Sequence, residues 1–571
     1  MLRQQLEADL KQAVESLGFP STDIVLSIPQ NTSFGDYTSN IALQLAKLKE
    51  GEGKQSPQEI AKKIVARVKS PDKVEARRRR QESSKSYLEK VEVVDPGFLN
   101  FFIKPEFLTK DVEEILQQGD NFGQSDLGRG EKVLVEFISA NPTGPLTLAN
   151  GRGGAMGDTL ANVLEKNGYA VTRQYYVNDT GNQVRMLGES VLAVLGKMPA
   201  KQEHYQGEYI KELAEKFKGE INSQDGSWQD KQVLELGHKL ANFLLETEIK
   251  PAVLKLGIEF DEYFSEHSLY GQNLVEKTLG DLKEKGLVYE EEGAVLFKSS
   301  QFGDEKDRVL MTSEERRGRS ESTYFLADVA HHRSDFSKSY SQRINFLGAD
   351  HHGYAGRIKA AMEAFGLSDR VCMVFFQFVR LFKEGKEVRM SKRAGNFVTL
   401  DELLTAVGKD VTRFFFLMYD PNTHIDFNLD LAKEQSNKNP VFYVQYAYAR
   451  MSNILANSNL KTLASSSTGR SGQILKLNYQ TLSSKEELNL IRHLGEFPEL
   501  VQEVGKTYQV QKLTTYSMML ADFFHKFYEK NRVLGAESKE LEEARLGLVQ
   551  ASRLVLGKTL KLMGVSAPQK M

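Results

Sequence analysis

The stretch Val133 to Asp158, V-L-V-E-F-I-S-A-N-P-T-G-P-L-T-L-A-N-G-R-G-G-A-M-G-D, reads as a strand, a Pro/Gly turn and a helix start. Val133 to Ile138 is apolar except for Glu136, which suits a strand of a parallel sheet buried on both faces. Asn141-Pro142-Thr143-Gly144-Pro145 stops it. Beyond Gly151, Met156, Leu160, Val163 and Leu164 fall at helical spacing, and Asn167-Gly168 suits a left-handed cap. A second run, Val171 to Val177, completes a βαβ unit, whose crossover is right-handed in nearly all proteins. Ligands of such sheets sit at the carboxyl ends of the strands, so Ser139 to Gly153 is expected to line a pocket. Its glycines are expected to let backbone approach a ligand, and the helix start to receive phosphate. A Gly-rich turn of this kind is by itself equally compatible with a plain tight connection.

At 571 residues the chain is too long for one core and is expected to divide into three or four domains. It has no apolar run long enough to cross a bilayer, and Met1-Leu2-Arg3-Gln4-Gln5 opens an amphipathic helix rather than a secretory signal, so a cytoplasmic protein is expected. The single Cys372, in V-C-M-V-F-F, excludes an intrachain disulfide and reads as a small buried hydrophobe. Ten scattered histidines and one cysteine form no ligand set at recognisable spacing, so no structural metal is expected. The net charge of −2 is unevenly spread: from Asp430 onward 19 Lys and Arg meet 13 Asp and Glu, a local excess of +6. A local basic patch can serve RNA without a basic protein overall. Aromatics are interleaved there, in Phe442 to Arg450 and Phe523 to Tyr528, where most are expected to be helix core and exposed rings would stack on bases.

The wording of several stretches goes beyond composition. S-A-N-P-T-G-P-L at Ser139 resembles the ATP-binding region of arginyl-tRNA synthetases, class I enzymes whose text continues with a H-I-G-H tetrapeptide. Further matching stretches, in the family's order, are F-G-D-Y-T-S-N-I-A at Phe34, P-G-F-L-N-F-F at Pro96, Y-Y-V-N-D-T-G-N-Q at Tyr175, G-A-D-H-H-G-Y at Gly348, R-M-S-K-R-A-G-N at Arg389, N-P-V-F-Y-V-Q-Y-A at Asn439 and G-V-S-A-P-Q-K-M at Gly564. The resemblance implies an architecture of mixed α/β and all-α domains. An α/β tRNA-binding domain occupies residues 1–108. A Rossmann-like parallel-sheet catalytic domain follows at 109–425, with a charged helical insertion at about 186–300 and a signature loop at 387–396. A helical anticodon-binding domain occupies 426–571. It also implies a monomer that joins L-arginine to tRNA(Arg) through an arginyl-adenylate, using ATP with Mg2+ bound to the substrate, the first step requiring tRNA.

The chain departs from the family at Thr147-Leu148-Ala149-Asn150, which replaces both histidines of the tetrapeptide. Those histidines donate to the ATP phosphates, and one such donor is worth roughly 3 kcal/mol. Thr147 and Asn150 also donate but carry no charge. Tryptophanyl members of the class use T-I-G-N, so weakened rather than absent ATP binding is expected, with Ala149 the harder change. Arg389-Met390-Ser391-Lys392 resembles the K-M-S-K loop, with Lys392 on departing pyrophosphate and Arg389 assisting. Pro145, Leu148, Ala149, Gly151, Met390, Ser391, Asp350 and His352 are the remaining ATP-site candidates.

Selecting a guanidinium requires carboxylates able to take paired N–H donors. Tyr324 and Asp328, four residues apart on one helix face, match the family's arginine-binding pair. Glu136, a lone acid within a strand, needs a partner that the ligand's cationic groups can supply. Ser139, Ala140, Asn141, Asn150 and His351 complete the arginine-site candidates, and Tyr446, Arg450 and Arg532 are the candidates for RNA contact. Ala76 to Lys90, with four consecutive arginines, reads as an insertion that either touches phosphate or is a solvated loop. The Ser/Gly-rich linker Ala464 to Gly472 is expected to stay loose, and Leu400 to Met418 to be helical. Two other readings stay open: a tRNA-binding paralogue that has lost activation, and a class I ligase of another amino acid.

Overall fold

The computed structural model describes residues 2–20, 22, 24–27, 29, 34–48, 55–69, 87–224, 228–313, 321–388, 398–458 and 477–571. Arg389, Met390, Ser391 and Lys392, the arginines at 77–80 and the linker at 464–472 lie outside them.

The run that opened the reading is a strand over Lys132–Glu136, and its helix covers Leu148–Lys166, starting three residues before Gly151. Gly168, at φ +84°, turns the chain into the strand Ala170–Val177. Five parallel strands lie in the order Val371–Phe376, Gln342–Gly348, Lys132–Glu136, Ala170–Val177, Glu262–Ser265. Chain order reverses between Lys132–Glu136 and Gln342–Gly348, so the crevice for a ligand opens beyond their carboxyl ends. Val133, Leu134, Val135 and Ile344 are fully buried, as strands covered on both faces require.

The glycines of the first helix have a different use from the one expected. A Cβ at Gly151 would lie 2.5 Å from Leu400, at Gly153 2.7 Å from Phe376, and at Gly157 2.3 Å from Phe137. They let the helix settle on bulky core side chains, and none of these approaches is to an open pocket. Arg152, fully buried on the same turn, donates to the carbonyls of Gln377 (2.7 Å), Thr423 (2.9 Å) and Asp420 (3.0 Å), tying the helix start to the end of the strand Val371–Phe376 and to the turn after the helix Lys409–Leu417.

Before the sheet, an antiparallel four-stranded sheet carries helices Leu2–Ser16, Ile41–Leu48 and Pro57–Lys69 around Leu6, Leu10, Leu45, Ile64 and Phe101. The insertion contains helices Glu208–Asn222 and Asp230–Leu244, which pack with Gly181–Val194 around their own core, followed by a three-stranded hairpin sheet. Leu400 to Met418 is two helices, Leu400–Val407 and Lys409–Leu417, because Gly408 at φ +82° breaks the run. Helices Pro440–Ala456, Lys485–Gly495, Phe497–Thr507, Gln511–Lys530 and Lys539–Leu562 form the final bundle. Its core is continuous with that of the parallel sheet: one buried cluster runs from Ile103 through Phe137, Phe414 and Leu520 to Val565. No helix among the described residues is long and apolar enough to cross a membrane.

Candidate active site

After Phe137 the chain bends sharply. Ile138 (φ +67°) and Ser139 (φ +40°) sit in the left-handed region that non-glycine residues avoid. Neighbouring contacts hold them: Ser139 Oγ accepts from the Tyr176 N–H (3.0 Å), and the Ala140 carbonyl accepts from the Tyr175 hydroxyl (2.8 Å). Strain kept in place by its surroundings is a frequent mark of a functional turn. Asn141 donates to Gln183, and Tyr209 from the insertion donates to the Thr143 carbonyl at 3.1 Å.

Thr147 is the N-cap of the helix. Its hydroxyl accepts from the Asn150 N–H (3.4 Å), while the Asn150 side-chain oxygen accepts from the Thr147 N–H (2.9 Å) and hydroxyl (2.7 Å). The divergent tetrapeptide is thus a capping box, which leaves the Asn150 amide donors unspent at the positive end of the helix. Leu148 is buried beneath it, whereas Pro145 and Ala149 are half-buried at the rim. Thr147 also pairs with Thr399, and Leu146 O accepts from Leu400 N–H at 2.8 Å, so the described residue just beyond the signature loop is fastened to the tetrapeptide.

Glu136 ends its strand opposite Asn345. The cationic partner expected from a ligand is present within the chain: the fully buried Arg343 guanidinium bridges Glu136 and Asp335, and Asn345 donates to Glu136 at 2.9 Å. Arg343 Nε donates to the side-chain oxygen of Asn345 at 3.1 Å. Asp328 receives the Tyr354 hydroxyl, and Glu266, only 2 % exposed, faces the same space. Burial pushes the Asp328 carboxyl up to about 6, opposed by the Tyr354 bond and reinforced by Glu136. Burial together with the Asp328 charge pushes Glu266 up to about 7. Four carboxyls therefore lie about one enclosed guanidinium, which Glu136 and Asp335 bond directly; of the four, Lys338 reaches only Asp335, at 3.6 Å, and is itself held by Glu262 at 3.0 Å. Among the described residues this cluster is short of positive charge. His331 and His332 supply none, since burial and Arg343 hold both far below the usual imidazole range.

Tyr324 begins the helix Tyr324–Ser337 and its hydroxyl accepts from the Asn182 N–H at 3.0 Å. It stands so close to Gly181 that a Cβ there would lie 2.4 Å from the hydroxyl, and Gly181 is also at φ +77°. Asp350, His351 and His352 lie exposed at the carboxyl end of Gln342–Gly348, His352 stacked on Phe375 with ring centres 3.9 Å apart. Reading the sequence missed Glu266, Arg343, Tyr176 and Tyr354. Arg343 did leave a signal: it is a lone cation in an apolar strand, the mirror of Glu136.

In the helical bundle, Arg450 donates to the Tyr446 hydroxyl (2.7 Å) and lies over the rings of Tyr446 and Tyr528, 4.8 Å and 5.4 Å from their centres. These residues line a cavity of about 270 Å³ with Asn453, Asn457 and Leu534. Arg532, exposed nearby, donates to the Leu534 carbonyl at 3.1 Å. Phe524 and Phe527 are buried, as expected of core, while Tyr528 is 39 % exposed.

A model of the class I (R) tRNA synthetase catalytic domain matches residues 111–414, the arginyl tRNA synthetase N-terminal domain model matches 2–103 and the DALR anticodon binding domain model matches 444–571. The arginine–tRNA ligase of Bacillus licheniformis is 39 % identical over 587 residues, covering 100 % of this chain and 99 % of its own. The chain belongs to the arginyl-tRNA synthetases. The arginine–tRNA ligase of Carboxydothermus hydrogenoformans is likewise 39 % identical, across 99 % of this chain and 98 % of its own. The arginyl-tRNA synthetase structure from Thermus thermophilus aligns over all of both chains with a TM-score of 0.75 at 22 % identity, a likeness of fold. For an arginyl-tRNA synthetase, a cluster of carboxyls that outnumber their one guanidinium is a feature that its amino acid calls for.

Proposed function

We propose that this synthetase activates L-arginine with ATP and transfers the arginyl group to the terminal ribose of tRNA(Arg). The observation that carries the reading is the cation-deficient pocket of Glu136, Asp328 and Glu266 at the point where strand order reverses. The guanidinium docks between Asp328 and Glu266, with Tyr324 beside them and Arg343 holding Glu136 in place. Ser139, Ala140, Asn141 and His351 border the amino-acid backbone.

The α-carboxylate of arginine attacks the α-phosphorus of ATP, and pyrophosphate departs. No protein nucleophile is needed; catalysis is positioning and charge stabilisation. Thr147, Asn150 and the helix start receive phosphate, Mg2+ arrives with the triphosphate, and Lys392 with Arg389 neutralises the departing pyrophosphate, flanked by Met390 and Ser391. Pro145, Leu148, Ala149, Gly151, Asp350 and His352 border the nucleoside. The tRNA then completes the first step's requirement and takes the arginyl group, its anticodon end against Tyr446, Arg450 and Arg532. The stacked Arg450 and the adjacent cavity support that last assignment. The same reading expects a cytoplasmic monomer, on family resemblance.

The alternative of a paralogue that has lost activation finds no support in the full-length identity to arginine–tRNA ligases. The test is arginine-dependent exchange of pyrophosphate into ATP, with and without tRNA, for the wild type and a Thr147→His/Ala149→Gly/Asn150→His variant. Exchange by the wild type only with tRNA is the expected result. Exchange absent in the wild type and present in the variant would overturn it.

A further inference from the structure

We infer that Tyr176 is a specificity-determining residue of the arginine pocket, its hydroxyl reserved for the guanidinium. The inference rests on the reading just given of where arginine binds. Tyr176 lies near the carboxyl end of Ala170–Val177, the strand beside Lys132–Glu136, and its backbone N–H is fixed by Ser139 Oγ. Its ring stands against His331 (4.5 Å between centres) and parallel to Phe264 (6.1 Å, 12°), so the phenol is fixed in direction.

The hydroxyl is enclosed, and no group meets it at full hydrogen-bond geometry, Glu266 being its one weak partner among the described residues. Glu266 stands at the edge of its reach, and Asp328 and Glu136 act on it through their charges. Burial holds the phenol neutral, far above its ordinary range. A buried hydroxyl so poorly partnered is costly, and proteins seldom leave one in that state without reason. Here the surrounding carboxyls show what would complete it. Guanidinium carries five N–H donors and no acceptor. Asp328 and Glu266 can each take paired donors, and the phenolic oxygen is a further neutral acceptor on the same wall. Its own proton then turns to Glu266, which ionises beside the cation. Lysine's ammonium is a compact point charge without this spread of donors, and the urea of citrulline puts an acceptor where a donor is needed.

The distinguishing test is Tyr176→Phe. In arginine-dependent pyrophosphate exchange, run with tRNA present, KM for arginine rises about tenfold, as for a lost bond to a charged group, and kcat stays within twofold. The Tm of the free protein stays level or rises, because the variant removes a buried polar atom held only by a weak bond, while the Tm gain on adding arginine shrinks. In a cycle with Glu266→Gln the two losses are non-additive, as expected of groups binding one cation. An unchanged arginine KM would overturn the inference, as would a free-protein Tm several degrees lower, which would make the hydroxyl a structural element. Wild-type protein that shows no arginine-dependent exchange at all would remove the underlying reading too, so the two failures are told apart by the wild-type control.

Discussion

Thr147 and Asn150 satisfy one another across the first turn of the nucleotide helix, through bonds of 2.7 Å, 2.9 Å and 3.4 Å. The side-chain oxygen of Asn150 is consumed in this exchange and its amide donors are not. Under the proposed reading the tetrapeptide does two jobs, capping and phosphate donation, that different atoms can separate. In Asn150→Asp the capping oxygen survives and the donors are lost to a negative charge. Melting should be nearly unchanged, while the ATP KM rises at least about tenfold, the scale of a lost phosphate donor. Thr147→Ala should instead lower stability by about 1 kcal/mol, the usual loss for an N-cap, measurable by denaturant titration.

With arginine docked at Asp328 and Glu266 as proposed, its binding depends on pH. With Asp328 and Glu266 held up to about 6 and about 7, both are neutral at pH 5 and ionised at pH 8. The arginine KM should fall across that interval. Their effect on the free protein has the opposite sign: a carboxyl raised on folding contributes stability below its unfolded value, and this is lost as pH rises through 6 to 7. The Tm gain produced by saturating arginine should accordingly be larger at pH 8 than at pH 5.5. Equal gains at the two values would count against both carboxyls as ligands.

Arg343→Met should be far more damaging than a surface Arg change. It strands Glu136 and Asp335 in the interior, and breaking a buried pair in this way costs roughly 3–5 kcal/mol. Adding Glu136→Gln and Asp335→Asn in the same chain should recover much of the Tm without recovering arginine-dependent exchange. Thermal melts of the single and triple variants decide this.

Gly181→Ala places a methyl group 2.4 Å from the Tyr324 hydroxyl at a backbone angle that alanine disfavours. Tyr324 must move. Arginine KM should rise several-fold with kcat/KM for ATP less affected, and steady-state exchange at varied arginine and ATP reads both.

Arg450→Ala removes a cation lying over two rings at the edge of the bundle cavity. The KM for tRNA should rise about tenfold, in the range of one stacking contact. Arginine and ATP KM should remain as in the wild type. A tRNA KM within twofold of wild type would place RNA elsewhere on the bundle.

Much of this was legible from local text. Val133 to Glu136 and Val171 to Val177 announce themselves by uninterrupted apolar character, and Gly168 by its place after a helical pattern. The helix start was not legible, because Asn150 in the third helical position is a less familiar capping partner than Glu or Gln. The break at Gly408 was hidden within a strongly apolar run. The site was half visible: Tyr324 and Asp328 share a helix face, but Glu266, in F-S-E-H-S, has nothing in its own neighbourhood to distinguish it. What makes it a pocket residue is the Val177 carbonyl that fixes its N–H at 2.9 Å and the nearness of Asp328, 62 positions away in sequence. Arg343 and Glu136, 207 positions apart, were each readable as an oddity, and only the fold joins them.

Arg413, fully buried, donates to Asp158 on the nucleotide helix (2.6 Å), to the Leu256 carbonyl (3.3 Å) and to the Met563 carbonyl (2.7 Å), closing loops of 255, 157 and 150 residues. Contacts so distant along the chain form late, because closing a long loop sacrifices chain entropy before any contact rewards it. On a ribosome, which releases the chain from its first residue onward, the helix Leu148–Lys166 thus reaches its final packing only after the last bundle helix has emerged. The parallel sheet and the helical bundle therefore reach their final packing together, joined through one buried arginine.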